Sequence, residues 1–421
     1  MSAPTGPTRL LDPTGGADVV SLDAHLGRWG PVPNLSLQAL IDAVEASGLR
    51  GHGGAWFPVG PKWRDIASRR RARPVVIANG PEGEPASGKD RYLLHHAPHL
   101  VLDGATLAAR AVGSDRVVVH VTAGPVAGIE AALAERARRG IDSCSFEIAL
   151  APDHFLSGQE SAAVATVNQK NPGIPTFTGI RTVREQGVGG RPTLVQNVES
   201  LAHVALIARF GPEWFRSVGT AASPGTALVT VTGRWEAPRI VEIPLGTTLA
   251  NALGLDPRAA AGIQAVLLGG YGGGWIATGT ALGMPFTEEA ARAQGSSIGP
   301  GIVVLLPTGV CPLAECARVV RYLEGEGAGQ CGPCVNGLDV LATAMEHLAY
   351  RPRQLRGGLA AFPTMCGLVE GRGACRHPDG VARFVRTAID VFADHAEQHL
   401  NRGPCQPARP FLSVPAPAVA R

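Results

Sequence analysis

Four short segments of this 421-residue chain carry residue types and spacings that could do chemistry. The first runs Arg50-Gly51-His52-Gly53-Gly54-Ala55-Trp56-Phe57-Pro58, with Lys62 just beyond. Glycines let backbone N–H groups approach an anion closely, a following helix start adds positive potential, and Lys62 could neutralise a phosphate. Alone, such a loop is also a plain turn. The second, Asn79-Gly80-Pro81-Glu82-Gly83-Glu84-Pro85 followed by Lys89-Asp90-Arg91, offers two carboxylates and an amide to the polar edge of a ring or a ribose; alone it is also a solvated acidic turn. The third, Ser157-Gly158-Gln159-Glu160-Ser161, places Gln159 and Glu160 at a helix start, where they reach a ligand or complement the helix dipole. The fourth, Arg191-Pro192-Thr193 with Gln196-Asn197-Val198-Glu199-Ser200, reads as a helix start with capping groups.

The cysteines are a separate source of chemistry. Of Cys144, Cys311, Cys316, Cys331, Cys334, Cys366, Cys375 and Cys405, all but Cys144 lie beyond residue 310. In a cytosolic chain such clustering favours a metal site over disulfides. Cys331-Gly332-Pro333-Cys334 is a C-x-x-C, the best spacing for two thiolates on one metal centre. Cys144, near a strand, and Cys405, in the tail, read as incidental.

Composition limits what these groups can serve. With 45% hydrophobic and 17% charged residues, the chain reads as a soluble globular protein, and its length calls for two or three domains. A formal net charge of +3, with 5% aromatic residues and no basic block, argues against nucleic acid as a partner. No apolar run approaches the ~18 residues of a membrane span, and the start lacks a secretory pattern, so a cytoplasmic protein is expected. Only Lys62, Lys89 and Lys170 are lysines among 38 basic residues. A lysine kept in so arginine-rich a chain could mark a place where the forked guanidinium does not fit; chance survival is the plainer account.

The elements that must position these segments follow from periodicity. Residues 1–34, rich in Pro and Gly without a clear period, are expected to be a mobile arm. Residues 35–49 predict an amphipathic helix. Strands are predicted at Val75–Asn79, Arg116–Thr122 and Phe146–Ala151, and helices at Leu100–Val112, Val126–Arg138 and 196–209. This alternation implies a parallel sheet covered by helices, with ligands outside the carboxyl ends of the strands, where Asn79 lies. After a break at Ala222–Gly225, strands at Ala227–Gly233, Arg239–Ile243, Ala265–Leu268 and Ile302–Leu306, with a short helix at Leu249–Leu253, suit a β-grasp or similar α+β unit. Helices at Leu313–Leu323, Gly337–Leu348 and Val381–His399 suit a small bundle around the cysteines, and the Pro/Ala-rich tail is expected to be disordered.

Taken in order, these segments resemble the flavin-bearing, NADH-oxidising subunit of respiratory complex I (the F-subunit type) and its relatives in soluble hydrogenases and formate dehydrogenases. That family carries a GRGGAGFPTGLKW loop, an NADEGEPG-KDR segment, a GEET helix start and a PT-xx-NNVET segment in the same order. The resemblance runs from about Leu49 to Leu400. It implies a Rossmann-like α/β FMN domain (35–221), a β-grasp domain of the soluble-ligand-binding type (225–307) and a C-terminal helical iron–sulfur domain (308–402), between an arm (1–34) and a tail (403–421). It places FMN over the loop, with Gly51, Gly53, Gly54 and Lys62 near the phosphate and Asn79, Glu82, Gly158 and Asn197 facing the flavin. Phe57 and Glu84 become candidates for contact with the nicotinamide nucleotide, and Glu160 matches a carboxylate near the nicotinamide.

The resemblance also assigns cysteines. The family holds a 4Fe-4S cluster with C-x-x-C-x-x-C and a distant fourth cysteine; here Ala328 stands at the first position, Cys331 and Cys334 at the second and third, and Cys366 at the fourth. Cys375, nine residues on, could supply the missing thiolate, with His377, Cys311 and Cys316 as further candidates. A three-cysteine cluster with a labile iron, tetrahedral zinc in the same cysteines, or no metal are the alternatives. Five family positions differ: His52 replaces an arginine, Trp56 a glycine, Pro81 an aspartate, Gln159 a glutamate and Gln196 an asparagine. The site loses two carboxylates, and Trp56 is placed to fill space a nucleotide would use.

The implied function is transfer of a hydride from NAD(P)H to FMN and of single electrons through the cluster to a protein: a small thioredoxin-like two-iron subunit, a ferredoxin or a membrane reductase, which would also give any membrane association. An electron-transfer adaptor without nucleotide oxidation, and a zinc-stabilised scaffold, are the competing readings.

Overall fold

Serine side chains open the first two helices. Ser21 accepts a hydrogen bond from the Ala24 N–H at the start of α1 (Leu22–Trp29), and Ser36 accepts one from the Ala39 N–H at the start of α2 (Leu37–Ser47). Each satisfies a backbone donor that the first turn leaves unpaired. After α2 comes the glycine-rich loop, then α3 (Val59–Ser68). The structure, a computed structural model, describes residues 8–11, 20–69, 72–175, 182–406 and 409–415. They form two units, one of residues up to Gly83 with Gly88–Val229 and Ile240–Thr247, the other of Glu84–Ser87, Thr230–Arg239 and the chain from Thr248.

In the first unit, β1 (Val75–Asn79) is followed by α4 (Lys89–His96), α5 (Pro98–Val112), β2 (Arg116–Val121), α6 (Val126–Arg139), β3 (Ser145–Leu150), α7 (Glu160–Val167), β4 (Thr193–Asn197), α8 (Val198–Phe210) and α9 (Pro212–Arg216). The strands form an all-parallel sheet in the order β3-β2-β1-β4, with Asn79 level with Asn197 and His120. Unbroken apolar runs fit β1 and β2, which are buried on both faces, whereas β3 alternates in exposure as an edge strand does. Helices α5 and α8 are buried nearly all round, 14 of 15 and 11 of 13 residues. Gly104 makes their approach possible, since a Cβ there would stand 1.9 Å from the Leu201 carbonyl oxygen.

The expected mobile arm is corrected wherever it is described. The Glu242 carboxylate accepts the N–H groups of Arg9, Leu10 and Leu11 at 2.7, 2.9 and 2.8 Å, and His25 and Trp29 of α1 are buried. An eight-residue helix is too short to show a period inside a Pro/Gly-rich stretch. Residues 1–7 and 12–19 lie outside the described residues.

Strands β5 (Thr226–Thr232) and β6 (Arg239–Pro244) lead on to short helices α10 (Leu249–Ala252) and α11 (Pro257–Ala261). In the second unit, β7 (Ile263–Leu268), β8 (Gly274–Ala277), α12 (Thr278–Gly283), α13 (Glu288–Ala293) and β9 (Ile302–Pro307) follow. The sheet order is β6-β5-β9-β7-β8, with β9 parallel to β5 and antiparallel to β7. The helical end comprises α14 (Pro312–Gly325), α15 (Leu338–Tyr350), α16 (Phe362–Val369), α17 (His377–Val391) and α18 (Ala393–Arg402). The helix expected over Val381–His399 is two helices. Phe392 leaves helical geometry (φ −106°, ψ 25°) and its ring packs edge-on against Trp275, with centroids 5.2 Å apart.

The tail is corrected too. Leu412 is buried, its N–H donates to Glu315 Oε2 at 2.7 Å, and the Tyr271 hydroxyl donates to the Ser413 carbonyl at 2.7 Å. Residues 407–408 and 416–421 lie outside the described residues. Among the described residues no helix is long and apolar enough to cross a membrane.

Candidate functional site

Strand order reverses at β1, since the chain builds outward through β2 and β3 and then returns to place β4 on the other side. Crevices at such reversals, at the carboxyl ends of parallel strands, receive ligands. Asn79 and Asn197 end β1 and β4 there, paired in register. The glycine-rich loop closes over the same edge. Its base is a bridge between Arg50 and Pro58, with the Gly51 N–H donating to the Phe57 carbonyl at 2.9 Å. A Cβ on Gly53 would come within 3.1 Å of Asn197 Cβ, so the loop lies directly on β4. Gly54 has φ +109° with open space where a Cβ would be, a conformation that suits glycine. Among the described residues, the Gly53 and Gly54 N–H groups have no hydrogen-bond partner.

Lys62, on α3, donates to the Val195 carbonyl at 2.7 Å and pairs with Glu160 at the start of α7. Open backbone donors beside a lysine fit the phosphate of a flavin mononucleotide. Asn79 donates to the Gly158 carbonyl at 2.8 Å, and its Oδ1 is 3.0 Å from His120 Nδ1. Burial pushes His120 down to about 4, so it is neutral and donates through Nδ1 to that oxygen. Phe57 is exposed, with the Arg184 guanidinium over its ring at 5.7 Å.

Two expected site residues serve as helix caps. Glu82 accepts the Asp90 and Arg91 N–H groups at 2.9 and 3.1 Å, capping α4, whose own N-cap is the side-chain-less Gly88. Asn197 caps α8, accepting the Glu199 N–H at 3.0 Å, and donates to Asp90 Oδ2 at 2.7 Å. Gln159, at a departing position, caps α7 by accepting the Ser161 and Ala162 N–H groups at 2.7 and 3.0 Å.

His52 and Trp56, two more departures, are in contact. Both are buried, their rings meeting at 4.9 Å and 61°. Trp56 adopts φ +53°, a left-handed backbone that favours glycine, and its indole is buried. Burial pushes His52 down to about 4, so it brings no charge to the loop.

A buried ionic group beneath the loop escaped the sequence reading. Lys89 lies 2.6 Å from Asp90 Oδ1 and 2.8 Å from Glu199 Oε2, with Lys89 and Glu199 essentially inaccessible. Burial would raise Glu199, but the His52 ring and the Lys89 ammonium outweigh it and hold the carboxyl well below the usual range. Lys89 is one of the chain's three lysines, and that scarcity was the available signal.

Glu84 belongs to the second unit. Its carboxylate is buried under the Gly270–Tyr271 turn and accepts the Tyr271 N–H. A Cβ on Gly270 would stand 2.1 Å from Glu84 Oε1.

The cysteines divide. Cys331 and Cys334 flank the start of a π-helical turn (Pro333–Gly337) that leads into α15. Burial, and then the facing Cys331 sulfur, push the Cys334 thiol up to about 11, with Cys375 adding to it. Burial also raises Cys375, and Cys331 adds to it in turn, so these three sulfurs lie within electrostatic reach of one another. Cys366 is fully buried on α16 with Sγ 3.6 Å from the Ala382 carbonyl oxygen. Its helix nonetheless packs on the π-turn, since a Cβ on Gly337 would stand 2.7 Å from Val369 Cγ2. Cys316 is buried beside the Trp275 indole. Thiols of this kind, two of them in a C-x-x-C, fit the sulfur-ligand chemistry of an iron–sulfur cluster.

Comparison with known proteins agrees with both halves. Residues 44–206 match the Nuo51 FMN-binding domain family, and residues 314–399 match the NADH-ubiquinone oxidoreductase-F iron–sulfur binding region. The F 2 subunit of NADH-quinone oxidoreductase from Rhizobium meliloti is 28% identical over 404 residues, 91% of this chain and 93% of that one. The HndC subunit of the NADP-reducing hydrogenase of Solidesulfovibrio fructosivorans is 26% identical, covering 94% of this chain and 83% of its own. Among solved structures, an NAD+-reducing [NiFe]-hydrogenase in the H2-reduced state superposes with a TM-score of 0.77 at 29% identity, over 87% of this chain and 63% of that chain.

Proposed function

Since residues 44–206 match the Nuo51 FMN-binding domain and residues 314–399 the NADH-ubiquinone oxidoreductase-F iron–sulfur binding region, we propose that this chain is a member of the family of flavin-bearing F subunits of NADH-quinone oxidoreductases and their hydrogenase relatives, and that it oxidises NAD(P)H with FMN and a 4Fe-4S cluster and passes the electrons to a protein partner. The observation that carries this reading is the pair of Gly53 and Gly54 N–H groups, without a hydrogen-bond partner among the described residues, at the reversal of strand order, with Lys62 on the helix that follows the loop. Bound FMN supplies the conversion of a two-electron donor into one-electron steps, and the cluster accepts them singly.

The residues then divide the work. Gly51, Gly53 and Gly54 would bring backbone close to the phosphate, and Lys62, which pairs with Glu160, would give it a cation. Asn79, Gly158 and Asn197 line the ring's polar edge. Glu82 contributes by fixing the start of α4. Phe57 and Glu160, both of the first unit, are the proposed nucleotide contacts. Cys331, Cys334, Cys366 and Cys375 are the proposed cluster ligands, Cys375 standing in for the cysteine that Ala328 replaces. On the same basis the chain divides into an FMN domain (35–221), a β-grasp domain (225–307) and a helical cluster domain (308–402). The acceptor is a small two-iron thioredoxin-like subunit, a ferredoxin or a membrane reductase in the cytoplasm, and support comes from relatives that are subunits of larger assemblies.

The test is anaerobic purification followed by titration with NADH and NADPH. Flavin and cluster absorption should both bleach. Absorption bands that neither nucleotide changes would overturn nucleotide oxidation.

A further inference from the structure

Four metal-ligating side chains converge in the second unit, and none belongs to the proposed cluster set. Cys311 is the N-cap residue of α14, His395 and His399 lie one turn apart on α18, and Cys405 follows that helix. His395 Nε2 is 3.7 Å from Cys311 Sγ and 3.3 Å from Cys405 Sγ. His399 Nε2 is 3.6 Å from Cys311 Sγ and 3.3 Å from Cys405 Sγ. All four atoms lie within 4.8 Å of one another.

Those spacings have the size of a single ion. Zinc–sulfur and zinc–nitrogen bonds of about 2.3 and 2.05 Å, at the tetrahedral angle, give a sulfur–nitrogen edge of about 3.6 Å. A four-iron cluster distributes its cysteines over separate irons and would hold them farther apart. Thiol–imidazole hydrogen bonding is the competing account, and it falls short. Two thiols and, in one tautomer, the His395 Nε2–H supply three protons at most, whereas four sulfur–nitrogen contacts are present. His399 is moreover held in one tautomer. Its Nδ1 is 3.1 Å from the Leu348 carbonyl and donates there, while Nε2 accepts the Cys405 N–H at 3.2 Å and so carries the lone pair, which an ion would take in place of that N–H. A backbone carbonyl on the far nitrogen is the orientation that metal-bound histidines take.

We propose that Cys311, His395, His399 and Cys405 form a tetrahedral Cys2His2 site for one zinc ion, tying the segment after α18 to the start of α14. Two thiolates and two neutral imidazoles balance the ion's charge, which suits a place where Cys311 and His399 are buried. The two thiol protons leave to solvent as the ion binds. Exposed Cys405 gives the ion its way in.

The test uses the full chain, purified without oxygen from zinc-containing medium. Metal analysis should find one zinc per chain besides the iron, and zinc-edge X-ray absorption should show two sulfur and two nitrogen neighbours. His395→Ala and Cys405→Ser, both away from the proposed cluster ligands, should each weaken zinc retention about tenfold or more while iron and flavin content hold. Absence of zinc even after Zn2+ is added and excess removed would overturn the proposal. So would an all-sulfur zinc environment, which would place the ion in the other cysteines, or a Cys311–Cys405 disulfide in the anaerobic protein. If a variant fails to fold, the absorption spectrum of the parent protein still decides.

Discussion

Glu84 and Glu199 show how two buried carboxyls in one chain take opposite charge states. Glu199 is paired with Lys89 and stays ionised. Burial raises Glu84 to about 8, with only the Tyr271 N–H working against it. Near neutrality Glu84 is therefore largely protonated. Its pKa is above that of the unfolded chain, so the folded state binds the extra proton. Stability from this group is full below about 4.5 and is lost as pH rises through about 8. Glu84→Gln keeps an acceptor for Tyr271 and removes the ionisation. The variant should lose less stability than the parent between those pH values and be more stable by a few kcal/mol at the upper end, of the order set by about 1.4 kcal/mol per pKa unit. Denaturant midpoints across that range measure it, and parallel curves for the two proteins would show that Glu84 is ionised throughout.

Asp103 does at the level of helices what Lys89 does for the loop. It sits on α5 and is nearly inaccessible, and α1, α6 and α8 each bring it a partner: His25 Nε2 at 2.7 Å, Arg136 at 2.8 Å and Arg209. Burial would raise its pKa, but the His25 hydrogen bond and the two guanidinium groups hold it well below the usual range. Removing one member of such a group leaves buried charge uncompensated. Asp103→Asn should cost about 3–5 kcal/mol in urea unfolding, since Arg209 loses its carboxylate and Arg136 keeps only Asp142. A cost near zero would mean that water reaches the guanidinium groups. This network also explains what the sequence hid. β1 and β2 were legible because strands buried on both faces are unbroken apolar runs. β4 was not, because only Leu194 and Val195 of Thr193–Asn197 are apolar and the strand passes straight into α8. α1 is held by a histidine and a tryptophan that answer to Asp103 and the core rather than to any period of their own. The break at Phe392 has no Pro or Gly to mark it; it follows from Trp275, more than a hundred residues away. In the site, the loop and the asparagines could be found by motif. Glu82 as a cap, the His52–Trp56 contact and the Lys89–Glu199 pair depend on which side chains meet after folding. His395 and His399 have the H-x3-H spacing of a metal helix, but their two thiol partners are scattered along the chain.

Across the whole molecule, the loop, Lys62, Asn79 and Asn197 belong to the first unit, and every cysteine from Cys311 onward belongs to the second. Flavin retention and metal retention should therefore respond to different substitutions. Cys375 is the sharpest probe, because it is the residue proposed to stand in for the thiolate missing at Ala328. If Cys375 ligates the cluster, Cys375→Ala should take iron below four per chain. FMN bound by the first unit and zinc bound through Cys311, His395, His399 and Cys405 should remain at parent levels. Iron, zinc and flavin measured on one anaerobic preparation separate the cases. Undiminished iron would remove Cys375 from the ligand set and leave three cysteines for the cluster. Loss of iron together with flavin would show that the second unit's metal supports the first unit's fold, and loss of iron alone would show two cofactor sites held independently by one chain.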